Sequence, residues 1–190
     1  SSRARREVCA LRTVEVTRTY LELTNPADLR GVLFSDPRAR LERRSPCAVS
    51  LYRRLYKEVG EDWYWHDRLE WPDERLAAHL ARADVAVFEL LLGDESAGYF
   101  ELGRHDDGSV EIVYFGLSPR FIGQGLGGPL LTSAVQEGWK MGATKVWLHT
   151  CTLDSERALP NYKARGFRRF RTVGLAVDIE GKEVVGERLL

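Results

Sequence analysis

Apolar and polar residues alternate over residues 12–23. Val14, Val16 and Tyr20, then Leu21 and Leu23 out of phase with them, predict a first strand with a break in its pattern. Asn25 stands where it can cap a short helix begun by Pro26. Residues 33–44 are charged and punctuated by Pro37, and they read as loop. At Ser45-Pro46 a cap followed by proline predicts a helix start, with Val49, Tyr52, Leu55, Tyr56 and Val59 on one face and Gly60 as its stop. A second helix follows Trp71-Pro72 through Leu76, Leu80 and Ala83. Three apolar runs at 85–92, 97–104 and 110–117 then read as strands, separated by Gly93-Asp94-Glu95 and Asp106-Asp107-Gly108 turns. Helical spacing returns at Leu126, Leu130, Leu131, Ala134, Val135 and Trp139. A strand over 145–152, a short helix over 155–165 closed by Gly166, and a strand over 167–177 complete the pattern. An antiparallel meander thus meets a strand–loop–helix–strand unit, which predicts an α+β fold with a mixed central sheet of about six to seven strands flanked by helices.

The loop in that unit carries the strongest chemical signal. Leu117-Ser-Pro-Arg-Phe-Ile-Gly-Gln-Gly-Leu-Gly-Gly-Pro-Leu-Leu131 runs from a strand into an apolar helix. That geometry turns free backbone N–H groups towards a phosphate at the positive end of the helix. Gly123, Gly125, Gly127 and Gly128 let the backbone approach a ligand without Cβ obstruction. The alternative is a tight turn and a glycine-rich helix start with no ligand. A nucleotide P-loop is excluded, because no lysine lies between Lys57 and Lys140. The G-x-G-x-x-G spacing of a dinucleotide fingerprint does not fit Gly123-Gln-Gly-Leu-Gly-Gly either.

Composition narrows the class. The chain has 190 residues, enough for one domain with a real core. Its formal net charge is zero, which gives no broad attraction to nucleic acid or anionic membrane. Cys9, Cys47 and Cys151 lack metal-ligand spacing and are too few for a disulfide framework, which fits a cytoplasmic location and a site without metal. No apolar run approaches the roughly 20 residues that span a bilayer. Residues 1–10 read as a loose charged lead-in, and residues 178–190 as a tail or a hairpin around Gly181.

Two motifs together resemble the GNAT superfamily of acyl-CoA-dependent N-acyltransferases. The family's pyrophosphate loop, Arg/Gln-x-x-Gly-x-Gly/Ala, falls on Ile122-Gly123-Gln124-Gly125-Leu126-Gly127, with Ile122 in place of the leading basic or amide residue. Its second signature, a tyrosine on a short helix closed by Gly-Phe, falls on Ala158-Leu-Pro-Asn-Tyr-Lys-Ala-Arg-Gly-Phe167 with Tyr162 in that place. Seven residues before the tyrosine stands Ser155, where the family often has asparagine. Pro160 is expected to kink the short helix. The resemblance covers residues 11–170 and implies one GNAT domain over 11–177. It implies a parallel pair of strands, the runs from Glu111 and from Lys145, that splay apart. It also implies acetyl-CoA as the acyl-donor cosubstrate. The phosphates would sit on N–H groups from Ile122 through Gln124 and Leu126 to Gly128, with Arg120 nearby. The strand edge near Leu117 would pair with the pantetheine arm, and Ser155 would lie beside the cofactor.

The implied reaction, amide formation from a thioester, needs an unprotonated amine, a polarised carbonyl and a proton for the leaving thiolate. Glu111 is the first candidate base and Glu101 the second; the alternative for Glu111 is a solvent-facing residue of an alternating strand. Tyr162 is the candidate acid, against a simple packing role. His149 lines the acceptor site, serves as base, or is a satisfied core histidine. Cys151 invites a covalent acyl carrier, but a buried structural thiol fits it better. Trp63 and Trp65, with Tyr64, Asp62 and Asp67, would wall an acceptor site suited to a cationic amine; the alternative is rings that cap the core or a homodimer contact. The expected activity is acetyl transfer to a primary amine by direct attack in a ternary complex, with a small-molecule acceptor favoured over a peptide. The rival is a non-catalytic acyl-CoA-binding module.

Overall fold

The computed structural model describes residues 13–178 and 184–189 of the chain. The predicted lead-in over 1–10 and the turn around Gly181 lie outside the described residues. In chain order the elements are β1 (Thr13–Leu23), β2 (Ala39–Arg44), α1 (Val49–Gly60), α2 (Asp73–Leu80), β3 (Val85–Leu92), β4 (Glu95–Arg104), β5 (Val110–Leu117), α3 (Gly127–Lys140), β6 (Val146–Cys151), α4 (Ala158–Ala164), β7 (Arg168–Asp178) and β8 (Val184–Leu189). Among the described residues the strands form one sheet of eight in the order β2-β3-β4-β5-β6-β1-β7-β8. β5 and β6 run parallel and every other neighbouring pair is antiparallel. Among the described residues no helix is long and apolar enough to cross a membrane.

The eighth strand beyond the expected range comes partly from β2, which the sequence pattern assigned to loop. β2 is an edge strand, paired only with β3, and its Arg40, Glu42, Arg43 and Arg44 are the charged residues an edge carries to discourage further pairing. Its inward face offers only Ala39 and Leu41 to the core, too short an apolar signal among four charged residues to announce a strand. A related displacement affects α1. The chain is still in β2 at Arg44, so Ser45 to Ala48 is needed to leave the sheet; Ala48 is extended and the helix begins at Val49 rather than at Pro46. Pro160 produces no kink either. It falls in the first turn of α4, where its missing N–H costs no helical hydrogen bond.

Helices cover both faces of the sheet. On one face Leu126, Leu130, Leu131, Ala134 and Val135 of α3 and its approach bury against Phe100, Leu102, Val110, Ile112, Val146 and Leu148. On the other, Tyr52, Leu55, Tyr56 and Val59 of α1 join Leu76 and Leu80 of α2 over Val87 and Tyr99. A register shift in the β4–β5 ladder after Glu101 inserts an extra residue into β5, so that Glu101 pairs with Tyr114 and Leu102 with Ile112.

The feature that shapes the site is the parallel pair. β5 and β6 are in register only at Val110–Val146 and Glu111–Trp147. Beyond Glu111 the strands separate, while β1 holds the far side of β6 along its whole length, from Leu23–Val146 to Arg18–Cys151. The sheet therefore opens at one end between residues 112–117 and 148–151.

Candidate active site

A cavity of about 880 Å³ passes through this opening. Ile112 to Leu117 line one side of the gap, and Leu148, His149 and Cys151 the other. At one mouth lies the glycine loop, represented by Ile122, Gly123, Gly125, Gly127, Gly128 and Pro129; at the other lie Tyr56, Trp63, Tyr64, Trp65, Asp67 and Tyr114.

The loop has the backbone of an anion cradle. Gly123 and Gly125 adopt φ of 86° and 77°, a left-handed conformation that a side chain would strain. The N–H groups of Gly123, Gln124, Gly125 and Leu126 find no acceptor among the described residues, and no side chain caps α3. The N–H of Ile122, expected to serve the phosphates, instead donates to the Pro119 carbonyl at 3.3 Å. Gln124 and Leu126 belong to the loop through their backbone only: the Gln124 amide donates to the Arg120 carbonyl at 2.8 Å, and the Leu126 side chain is buried in the core. Arg120 turns away to pair with Glu95. Its expected place beside the loop is taken by Arg157 and Arg165. Nη1 of Arg157 lies 3.2 Å from the point where a Cβ on Gly123 would sit, and Nη1 of Arg165 occupies the space a side chain on Gly128 would need. Both arginines line the cavity, and neither guanidinium has an ion-pair partner among the described residues. Ser155 and Asn161 line the same half, Asn161 donating to the Gly127 carbonyl at 3.1 Å.

Tyr162, on α4, is 6% exposed between Phe115 and Phe167, and its hydroxyl has no hydrogen-bond partner among the described residues. Burial, and then the Asp154 charge, push its pKa well above the ordinary phenol value. It reaches the cavity as a phenol that keeps its proton. His149 lines the opposite wall, and burial with the neighbouring Arg18 charge lowers its pKa to about 4, so it is a neutral imidazole at physiological pH. Glu111 does not line the cavity. It sits at the last paired position of the β5–β6 ladder, with Oε2 3.0 Å from His105 Nε2 and Oε1 3.8 Å from His149 Nε2. Burial raises its pKa, against the opposing pull of the His105 hydrogen bond and charge. The structure thus brings Glu111 behind His149 rather than into the gap.

Glu101, the second candidate base, is fully buried away from the cavity lining. Its carboxylate is engaged by the Tyr52 hydroxyl, by His79 Nε2 at 2.7 Å and by Arg68 Nη2 at 3.3 Å, and it has no access to the cavity from which an amine would come. Cys151 lines the cavity, but burial and the adjacent Asp154 raise its pKa, the opposite of what a nucleophilic thiol needs. The aromatic wall is tightly packed: Tyr114 meets Tyr56 and Trp65 at ring-centroid distances of 5.0 Å each.

The family match follows the same stretch of chain. Residues 52–167 match the acetyltransferase (GNAT) family, more than half of the sequence, and the chain belongs to that family. A curated relative, mycothiol acetyltransferase from Corynebacterium efficiens, is 30% identical over 115 residues, covering 58% of this chain and 38% of that protein. The chain thus spans well under half the length of that relative. Among solved structures, a GCN5-related N-acetyltransferase from Sphaerobacter thermophilus superposes with a TM-score of 0.63 at 14% identity, covering 91% of this chain and 54% of the other. A GCN5-related N-acetyltransferase from Kribbella flavida gives 0.61 at 20% identity, over 84% and 57% of the two chains. An aminoglycoside acetyltransferase from an uncultured soil metagenomic sample, solved with trehalose, gives 0.58 at 20% identity, over 68% and 88%. These likenesses show the fold.

Proposed function

We propose that this chain transfers acetyl from acetyl-CoA to a primary amine of a small molecule, by direct attack while both are bound. The observation that carries the reading is the single cavity that joins an unsatisfied glycine-loop backbone to an aromatic-walled half through the opening in the sheet. The cosubstrate's phosphates sit on the N–H groups from Gly123 onward and between Arg157 and Arg165, which supply the charge that Ile122 does not. The pantetheine arm lies against the unpaired edge of β5 that ends at Leu117, and Ser155 is beside it. The thioester then falls between Tyr162 and His149. The enclosed aromatic half fits a small acceptor, and acetyl-CoA use places the reaction in the cytoplasm.

The chemistry divides between those two residues. His149 removes a proton from the attacking amine, and Glu111, 3.8 Å behind its Nε2, stabilises the imidazolium that forms. Glu111 is a positioning residue in this scheme. The amine nitrogen bonds to the thioester carbon, the C–S bond breaks, and the electron pair leaves on sulfur. Tyr162 donates a hydrogen bond to that sulfur. Its raised pKa keeps the donor in place across the working pH range without making it a strong acid.

Tyr162→Phe is expected to lower kcat by roughly ten- to a hundredfold, the worth of one hydrogen bond to a developing anion. The affinity for acetyl-CoA, followed by calorimetry, stays within twofold or so. An unchanged kcat would remove Tyr162 from the reaction. The pH profile of kcat tests the base separately. Because the His149 pKa is lowered, its neutral, proton-accepting form persists until pH falls towards about 4, and the acid limb is expected there rather than near the ordinary histidine value. A limb that persists unaltered in His149→Ala would reassign the base.

A further inference from the structure

Resting on that reading of the cavity, we propose that the acceptor carries a carboxylate beside its amine, and that Arg18 is the residue that binds it. Among the described residues that line the cavity, Arg18 is the arginine away from the glycine loop. Arg18 lies on β1, whose Val16 and Tyr20 belong to the small cluster on the acceptor face, while Leu21 and Leu23 turn to the opposite core. Alternation puts Arg18 between Val16 and Tyr20 on the acceptor face, where it lines the cavity. Its Nε is shielded from water and has no hydrogen-bond acceptor, and its guanidinium has no ion-pair partner among the described residues. Other arginines on the same face of the sheet are matched: Arg44 reaches Glu89 at 2.6 Å and Arg68 reaches Glu101 at 3.3 Å. A partly buried cation without a counter-ion is costly, and a planar guanidinium is shaped to hold a carboxylate.

The position relative to the reacting groups sets the size of the ligand. Arg18 is directly opposite Cys151 in the β1–β6 ladder and Tyr20 is opposite His149. Arg18 and His149 are therefore diagonal neighbours on one face, roughly 7–8 Å apart at the backbone. A carboxylate held by Arg18 leaves the amine of the same small molecule within reach of His149. The aromatic rings of Trp65 and Tyr114 close the other side. This selects amino-acid-like acceptors over polycations, which would meet the Arg18 charge as repulsion. Asp67, the carboxylate at the outer rim, is exposed and lies 3.5 Å from the Tyr114 hydroxyl, too weakly placed to cancel an inner cation.

The test is acetyl-CoA-dependent thiol release across glycine, β-alanine, lysine and glutamate, each beside its carboxamide, with an aminoglycoside included. Acetyl-CoA binding is followed in parallel by calorimetry. The wild-type chain is expected to favour the best carboxylate over its amide by roughly tenfold or more in kcat/KM. Arg18→Gln is expected to erase that preference while acetyl-CoA affinity holds, which also shows that the variant is folded. Arg18→Lys should restore only part of it, since the charge returns without the fork. Acetyl-CoA binding with no carboxylate preference, with no turnover of any panel member, or with the aminoglycoside as best substrate overturns the carboxylate site and leaves the donor reading standing. Loss of acetyl-CoA binding by the wild-type chain overturns the donor reading itself.

Discussion

Gly125→Asp is expected to raise the dissociation constant for acetyl-CoA more than a hundredfold while leaving the fold intact. Two separate effects act at this position. Gly125 has φ of 77°, so any side chain costs about 1–2 kcal/mol of backbone strain. No atom lies within 4 Å of where its Cβ would go, so the substitution meets open space rather than the protein core. The added carboxylate instead enters the region where four unsatisfied N–H groups and two arginines would meet a pyrophosphate, and like charges at such range repel strongly. Gly125→Ala separates the two effects. Its strain is already present in the unliganded loop, so it should lower stability by about 1–2 kcal/mol while acetyl-CoA affinity holds within roughly threefold. Calorimetry with acetyl-CoA and with acetyl-pantetheine gives the reading. The aspartate should hurt the phosphate-bearing donor far more than the truncated one. Equal losses would mean that the loop does not hold phosphate, and retained affinity would sink the assignment.

The glycine loop was legible because everything about it is local. Gly123 and Gly125 lie two residues apart in a loop between a β-branched strand and a helix of apolar period, and the structure gives both the left-handed backbone that only such residues adopt freely. The order of β3, β4 and β5 was legible for the same reason: short turns join neighbours, and each strand is a mostly apolar run. What stayed hidden depends on distant pairing. β2 looks like loop because a sheet edge is charged. Arg18 becomes a cavity residue only because β1, the first described strand, inserts between β6 and β7 and meets Cys151 across 133 positions of sequence (151 − 18). Its signal was present but faint: an arginine in the phase of Val16 and Tyr20. Arg157 and Arg165 carry no local signal, because they lie more than 30 residues beyond Gly125, whereas the nearer Arg120 spends its charge on Glu95.

The two glutamates show the same limit in energetic form. Glu111 and Glu101 both stand on strands beside the opening, and alternation cannot say which one faces it. The register shift in the β4–β5 ladder decides, since it changes which residues of β5 share a face with Glu101. Glu101 becomes an anchor for the helices and Glu111 a partner for two histidines. The aromatic run divides likewise: Trp63 and Trp65 face the cavity, while Trp71 packs under the guanidinium groups of Arg68 and Arg75.

Glu101→Ala is expected to destabilise the fold by about 3–5 kcal/mol, the cost of leaving a buried partner unpaired, and to lower Tm by roughly 10 °C. One carboxylate on β4 gathers Tyr52 from α1, His79 from α2 and Arg68 from the segment between them, so it ties both helices to the sheet together. Burial pushes the Glu101 pKa up, but the His79 hydrogen bond, the Arg68 charge and the Tyr52 hydroxyl together carry it below the ordinary value. The sign of the pH dependence follows. A carboxyl whose folded pKa is depressed contributes stability in full above its unfolded pKa, about 4.3, and loses that contribution as pH falls through the folded value. Wild-type Tm should therefore fall faster than that of the variant below about pH 4, and the gap between them should narrow. Tyr52→Phe removes one donor of three and should cost only about 1 kcal/mol. Thermal unfolding of the three proteins between neutral and acid pH makes the comparison. A Glu101→Ala variant as stable as wild type, or a gap that widens in acid, would show that this carboxylate does not hold the helices to the sheet.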